Sequence, residues 1–160
     1  MAHISTRDQG LAVGNTESIL ESRTRILDST KDSTNYAESE VLEVARRSGF
    51  PPATVERIGL AVHEIMINAV VHGNGCNLHK KVVVTISRTP HKLKIVIADQ
   101  GEGFDPDDLL DPLCPEGLIR GSGRGVYLAR AFMDEFSVQR DPAGWTIVTM
   151  AKLIDSPSAG

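Results

Sequence analysis

The sequence predicts an α+β protein, and three observations support this prediction. Two segments rich in β-branched residues, Lys81–Arg88 and Lys92–Asp99, are typical of an antiparallel hairpin. A second hairpin is predicted over Phe136–Arg140 and Trp145–Leu153, which are joined by a turn that contains proline and glycine. The stretch Ala61–Gly75 has the apolar composition of a helix buried in a domain core.

Composition and charge limit the classes of function. A chain of 160 residues with 41% apolar and 24% charged residues is ordinary for one globular domain. The net charge of −4 and the absence of a Lys/Arg block argue against direct nucleic-acid binding. No apolar run approaches the ~20 residues of a membrane span, and the N-terminus has no apolar signal region. We therefore expect a cytoplasmic protein that binds no membrane.

The first part of the chain supplies one strand and one helix. We expect residues 1–20 to form a flexible arm and Thr24–Ser29 to form a short strand. Asp32 or Ser33 can cap the following helix, and Ser48-Gly49 ends it, because glycine favours the left-handed position after a helix. The apolar residues of this helix recur with a 3.6-residue period at Tyr36, Val41, Val44 and Ala45. The predicted domain covers residues 21–154, and 155–160 form a disordered tail.

A polar stripe runs along the central predicted helix. Its apolar residues point in almost every direction, which predicts burial. Glu64, Asn68 and His72 nevertheless follow one another at intervals of four residues, so their side chains share one face. Buried polar groups destabilise a fold unless they are paired. The stripe therefore either bonds to neighbouring backbone or lines a cavity for a cation and a polar ligand.

Two glycine-rich turns follow this helix in the sequence. Asp99 ends a strand on its inward-facing side and begins the turn D-Q-G-E-G, whose glycines let backbone approach a flat ligand. The second turn, Gly121–Gly125, opens a helix and exposes N–H groups that can hold phosphate oxygens. Between them, Phe104–Arg120 shows no clear period, and a loop of this length inside a domain is often a functional lid.

Several familiar sites are excluded or unsupported. The P-loop motif is absent, and Val126 occupies the position where a dinucleotide fingerprint requires glycine. Leu109 and Leu110 occupy positions where a calcium loop needs an oxygen ligand and a glycine. Cys76 and Cys114 lack a C-x-x-C spacing, which favours reduced thiols over a disulfide and gives no zinc site.

Three sequence boxes in this order resemble the GHKL ATPase superfamily, which includes gyrase, histidine kinases and MutL. The greatest likeness is to bacterial anti-sigma-factor serine/threonine kinases. EIMINAVVHGN resembles their E-x-x-x-N-A-x-x-H-G-N box, DQGEGFDP resembles the second box, and SGRGVYLARAFMDEF resembles the third. The boxes begin about 35 and then about 22 residues apart, within a resemblance from roughly Thr24 to Leu153. It implies an α+β two-layer α/β sandwich of the histidine-kinase-like type, with a mixed, mostly antiparallel sheet and helices on one face.

The resemblance also implies roles for the matched residues. Asn68 would supply its side-chain oxygen to Mg²⁺, and Asp99 would accept a hydrogen bond from the adenine amine of ATP. Glu64 would be the general base that deprotonates a serine or threonine hydroxyl of a partner protein. Main-chain groups would close over the adenine and hold the phosphates at four glycines: Gly101, Gly103, Gly123 and Gly125.

Three further side chains have less defined roles. Thr146 is expected to contact Asp99 through water. Arg124 either reaches the β- or γ-phosphate or is an exposed lid arginine. His72 is expected to close the end of the central helix by hydrogen bonding rather than to act in catalysis.

The implied function is that of an ATP- and Mg²⁺-dependent kinase that is also an anti-sigma factor. It would phosphorylate an anti-anti-sigma STAS-domain protein, bind a sigma factor and form a homodimer. One alternative is a nucleotide-gated binding module with little transfer activity. Another is a partner-switching regulator that does not act on a sigma factor. An intact Glu64 favours the kinase, because a pure binder has no need of a buried carboxylate beside Mg²⁺.

Overall fold

The computed structural model describes residues 17–101 and 124–155, with the backbone alone for Arg124. In this part of the chain, five antiparallel strands form one sheet in the order β1-β2-β3-β5-β4. The elements along the chain are β1 (Glu21–Asp28), α1 (Lys31–Arg47), α2 (Pro52–Ile67), a π-helical turn (Asn68–Gly73), β2 (Lys81–Arg88), β3 (Lys92–Asp99), α3 (Arg124–Phe132), β4 (Glu135–Arg140) and β5 (Thr146–Leu153).

The helices cover one face of the sheet. In β2 and β3 every second side chain is buried, whereas the side chains between them are half-buried or exposed. The buried face packs against apolar residues of α1, α2 and α3 in one continuous core. The α+β two-layer sandwich expected from the sequence is thereby confirmed, with antiparallel pairing throughout the described strands. Asp99 lies at the end of the middle strand of this sheet, on the buried face.

Helices α1 and α2 pack closely through Gly59. A Cβ atom added at Gly59 would lie 2.8 Å from Cδ2 of Leu42 on α1. The absence of a side chain at this position therefore lets the two helices approach. Their apolar faces meet the sheet through fully buried residues: Val41 and Val44 of α1, and Ile58, Val62 and Ile65 of α2.

The predicted element boundaries are confirmed for the first hairpin and differ at the start of the chain. β1 begins at Glu21 rather than Thr24, because pairing with β2 extends over its whole length. The cap of α1 is Thr30 rather than Asp32 or Ser33, since its Oγ1 accepts a hydrogen bond from the Ser33 N–H at 3.2 Å. Gly49 follows the helix with a φ of 84°, as predicted for its C-terminal end.

The central helix does not stay α-helical up to Gly73. After Ile67 it widens into the π-helical turn, in which the N–H of Asn74 donates to the carbonyl of Ala69 at 2.8 Å. The regular four-residue stripe expected from the sequence is therefore interrupted. Asn68 is half-buried, whereas His72 is exposed.

Some predictions lie outside the described residues. They concern most of the N-terminal arm, nearly all of the C-terminal tail, the loop over 104–120, and Cys114. The prediction of a reduced thiol at Cys76 is wrong, because this buried sulfur is disulfide-bonded. Across 17–101 and 124–155, the helices are too short or too polar to cross a membrane.

Candidate functional site

The three sequence boxes meet at one cavity of about 320 Å³. It lies between the π-helical turn, the ends of β3 and β5, strand β4 and the beginning of α3. A larger groove of about 830 Å³ between α1 and α2 contains none of the motif residues. We therefore assign the site to the smaller cavity, which is lined by Ile65, Asn68, Ala69, His72, Gly73, Ile97, Asp99, Gly101, Val126, Phe136, Val138, Thr146 and Val148.

The carboxylate of Asp99 is held between two glycines. A Cβ atom added at Gly73 would lie 2.6 Å from the carboxylate carbon of Asp99. A Cβ atom added at Gly101 would meet the same carboxylate and would lie 2.9 Å from Cα of Gly73. The N–H of Gly101 donates to Asp99 Oδ1 at 2.8 Å. Glycine is thus required at both positions by close approach, and the sequence motif indicated this only for Gly101.

Asp99 is a buried acid without an ion pair to any described residue. Its side chain is 6% exposed. Burial raises the pKa of Asp99 to about 6, while the Gly101 N–H and the charges of Arg140 and Lys80 act in the opposite direction. A buried acceptor with one hydrogen bond retains capacity for a donor from a ligand. The site therefore suits a polar N–H group presented at the bottom of the cavity.

Thr146 lies directly opposite Asp99 in the β3–β5 pairing, and both residues line the cavity. Neighbouring side chains on facing strands are close enough to share a water or a ligand atom. The structure therefore brings together the two residues that the sequence analysis paired.

One wall of the cavity is apolar and was not predicted from the sequence. Val126 comes from α3, Phe136 and Val138 from β4, and Val148 from β5. Phe136 pairs with Met150 and Val138 with Val148, so these side chains lie on the helix-covered face of the sheet. The period-two alternation of the last hairpin would have identified them. An apolar wall beside one polar acceptor is the arrangement expected around a flat heteroaromatic ring.

The other end of the cavity carries Asn68 and, next to it, the carboxylate of Glu64. Asn68 lines the cavity, and its side chain forms no hydrogen bond with another described residue. Glu64 does not line the cavity but packs against the first turn of α3. A Cβ atom added at Gly125 would lie 2.5 Å from Glu64 Oε2. Gly125 therefore lets Glu64 approach the backbone at the beginning of this helix.

A family model described as a histidine kinase-like ATPase domain matches residues 27–152. The chain belongs to this family. It is 34% identical over 118 residues to serine-protein kinase RsbW of Bacillus licheniformis, which covers 70% of this chain and 72% of that protein. It is 29% identical over 106 residues to anti-sigma F factor of Bacillus subtilis (strain 168), covering 64% of this chain and 71% of that one.

A solved structure has the same fold as this histidine kinase-like ATPase domain. It is the crystal structure of the RsbU and RsbW domains of Rv1364c from Mycobacterium tuberculosis, matched with a TM-score of 0.60 at 18% identity. The match covers 86% of this chain and 33% of the solved chain. At this identity the likeness concerns the fold.

The residues of this ATPase domain fit ATP and Mg²⁺ in different ways. The buried acceptor Asp99 and the apolar wall suit a nucleobase, as described above. Among residues 17–101 and 124–155, no group of three or more His, Cys, Asp or Glu side chains could hold a metal. A magnesium ion here would need phosphate oxygens and water beside Asn68, which is the coordination that Mg²⁺ commonly adopts.

The remaining predicted site residues are only partly described. Gly103, Gly123 and the side chain of Arg124 lie outside the described residues. His72 lines the cavity from its exposed position near the end of the π-helical turn.

The packing of Gly73 against Asp99 predicts a steric coupling. Gly73 does not have a positive φ, so replacement by alanine strains no backbone angle. We expect Gly73→Ala to lower the free energy of unfolding by about 1–3 kcal/mol, because its methyl group overlaps the carboxylate. Urea denaturation measures this change. When Asp99 is also replaced by alanine, Gly73→Ala should lower the free energy of unfolding much less. An equal decrease with and without Asp99 would contradict the contact between the two residues.

The raised pKa of Asp99 predicts a stability that depends on pH. Because the pKa rises from 3.8 to about 6 on folding, the folded state binds this proton more tightly than the unfolded chain. The resulting stabilisation is complete below about pH 4 and is lost as the pH rises through about 6. Asp99→Asn avoids this loss. Without ligand, it should be about 1–3 kcal/mol more stable than the natural protein at pH 7 to 8, with no such gain near pH 4. Urea denaturation across this range tests the sign, and a gain independent of pH would be the contrary result.

Proposed function

We propose that this chain is an ATP-dependent serine/threonine kinase that also acts as an anti-sigma factor. The observation that carries the proposal is the buried carboxylate of Asp99, placed beside an apolar wall in a histidine kinase-like ATPase domain. The similarity to proteins named serine-protein kinase and anti-sigma F factor supports the choice of reaction and of partners.

Asp99 would select adenine over guanine. The exocyclic amine of adenine donates a hydrogen bond, and ionised Asp99 can only accept one. Guanine presents a carbonyl oxygen at the equivalent position, so two acceptors would face each other in a desolvated site. Thr146, opposite Asp99 in the sheet, would bind the same base edge through water.

The phosphate end of the nucleotide would lie towards Asn68 and α3. Asn68 would provide an oxygen to Mg²⁺, which neutralises charge on the phosphates when it is bound. The N–H groups at the beginning of α3 would contact phosphate oxygens, with Gly123 and Gly125 allowing close backbone approach. Gly101 and Gly103 would let the backbone close over the adenine. Arg124 would supply a further positive charge there.

Glu64 would act as the general base. It makes no hydrogen bond with another described residue, and it packs against Gly125 at the predicted phosphate end. It would take the proton of a serine or threonine hydroxyl as the hydroxyl oxygen bonds to the γ-phosphorus of ATP. The bond from this phosphorus to the bridging oxygen breaks, and ADP leaves.

The partners follow from the same proposal. The phosphate acceptor would be an anti-anti-sigma STAS-domain protein, and the unphosphorylated acceptor would compete with a sigma factor for this chain. A homodimer and a cytoplasmic location stay predictions from the sequence.

Replacing the base-recognition carboxylate should weaken ATP binding. Asp99→Asn is expected to lose about 1–3 kcal/mol of ATP binding free energy, because it replaces a charged acceptor by a neutral one. Calorimetry at pH 7.5 measures the change. Asp28→Asn, at the end of the edge strand β1, serves as the control and should bind ATP normally. Unchanged ATP affinity in folded Asp99→Asn would disprove the adenine assignment.

Replacing the proposed general base, Glu64, should lower the rate of phosphate transfer without weakening nucleotide binding. Glu64→Gln keeps the size of the side chain but cannot accept the proton, so phosphate transfer should fall by about 10²–10⁴-fold. Its nucleotide affinity should change little. Transfer from radiolabelled ATP to STAS-domain proteins of the same genome measures the rate, with exposed Glu56→Gln on the same helix as the control. Near-normal transfer by Glu64→Gln would exclude the base assignment, and no transfer by the natural protein would favour the nucleotide-gated binding module.

A further inference from the structure

A buried hydrogen-bond network adjoins Asp99, where we propose that the nucleobase binds. Its centre is Asn74, which follows the π-helical turn and is 1% exposed. Its Oδ1 accepts a hydrogen bond from the N–H of Gln100 at 2.8 Å. Its Nδ2 donates to Ser29 Oγ at 2.9 Å and to the carbonyl of Lys81 at 3.0 Å. One amide side chain thus joins the end of β3, the beginning of β2 and the connection between β1 and α1.

The groups around Asn74 are themselves paired. Ser29, which is fully buried, donates from Oγ to the carbonyl of Lys80 at 2.6 Å. The side chain of Gln100 accepts from the N–H of Lys81 at 2.5 Å. Both donors of the Asn74 amide are used, one by Ser29 and one by the carbonyl of Lys81. Loss of the amide would remove the partner of the Gln100 N–H and one partner of Ser29 and of the Lys81 carbonyl, and loss of a partner in a buried setting destabilises a protein more than the loss of an exposed hydrogen bond.

This network is attached to both sides of Asp99. Gln100, whose N–H binds Asn74, lies in the chain between Asp99 and Gly101. Asn74 itself follows Gly73, which packs against the Asp99 carboxylate. The amide of Asn74 therefore ties together the two backbone segments that enclose the carboxylate. Asn74 is not among the residues that line the cavity, so it would act on a ligand through Asp99.

We propose that Asn74 is a positioning residue for base selection: its three hydrogen bonds keep the segments on either side of the Asp99 carboxylate at the separation that adenine recognition requires. This inference rests on the proposed function, since it assumes that Asp99 binds the base. If Asn74 only stabilised the fold, its replacement would lower stability without changing the preference between ATP and GTP. Asn74 is distinguished from such a residue by its effect on selectivity.

The test compares Asn74→Ala with Asn77→Ala. Asn77 belongs to the same loop and is 2% exposed, and its Oδ1 accepts from the N–H of His79 at 2.8 Å. It therefore controls for the loss of a buried amide near the site. Affinities for ATP and GTP are measured by competition at one pH, and urea denaturation gives the stability of each variant.

We expect Asn74→Ala to bind ATP about tenfold more weakly, with little change for GTP, so that the ATP-to-GTP preference falls by a similar factor. Asn77→Ala should lose stability but keep the preference. A folded Asn74→Ala with the natural preference would overturn the proposal, as would an equal loss of preference in Asn77→Ala.

Two further variants keep the outcome interpretable. If Asn74→Ala does not fold, Ser29→Ala removes one of its three partners and should lower the preference by a smaller factor; no loss in this variant would then overturn the proposal. Asp99→Asn distinguishes a failure of the proposed function from a failure of the role proposed for Asn74. If Asp99→Asn keeps the natural preference, the proposed function fails; if it loses the preference and Asn74→Ala does not, only the role of Asn74 fails.

Discussion

The burial of one carboxylate is the constraint on which the site depends. Asp99 ends the middle strand of the sheet on its buried face, and no described residue forms an ion pair with it. A side chain at Gly73 or at Gly101 would occupy the space of this carboxylate. Gly73 and Gly101, which belong to two distant motifs, are thus explained by the same constraint, their close approach to one carboxylate.

The burial of Asp99 lowers the stability of the protein without ligand but leaves a hydrogen-bond acceptor for a ligand. Desolvation makes the charged form of Asp99 unfavourable in the free protein, as its raised pKa indicates. A structural aspartate is commonly held by an ion pair or by several N–H donors, whereas among the described residues this one receives one hydrogen bond, from Gly101. Unused acceptor capacity is expected where a ligand completes the hydrogen bonding. The cavity wall formed by Val126, Phe136, Val138 and Val148 is apolar, and a ligand that covered it would displace water and so strengthen such a bond.

The two ends of the site are built differently. At the end where we propose that the nucleobase binds, Asp99 and Thr146 lie on paired strands in the interior of the sheet, and the amide of Asn74 links the surrounding backbone. Rigid strands suit the recognition of a planar base, which depends on precise distances. At the other end, Glu64 and Asn68 have no hydrogen bonds to described residues, which is compatible with the proposed roles of these two side chains.

The sequence alone determined the hairpin β2–β3, the class of the fold and the motif residues, because alternation, turn residues and glycine spacing are local properties. Tertiary structure decided the rest. The four-residue stripe predicted a continuous α-helix, but the chain widens at Asn68–Gly73, and the hydrogen bonds of Asn74 to distant strands lie beyond any local pattern. Likewise, Thr30 caps α1, and β4 and β5 supply the apolar wall. The closeness of Gly73 to Asp99 has the same origin: residues far apart in the chain become neighbours only when helix and sheet pack.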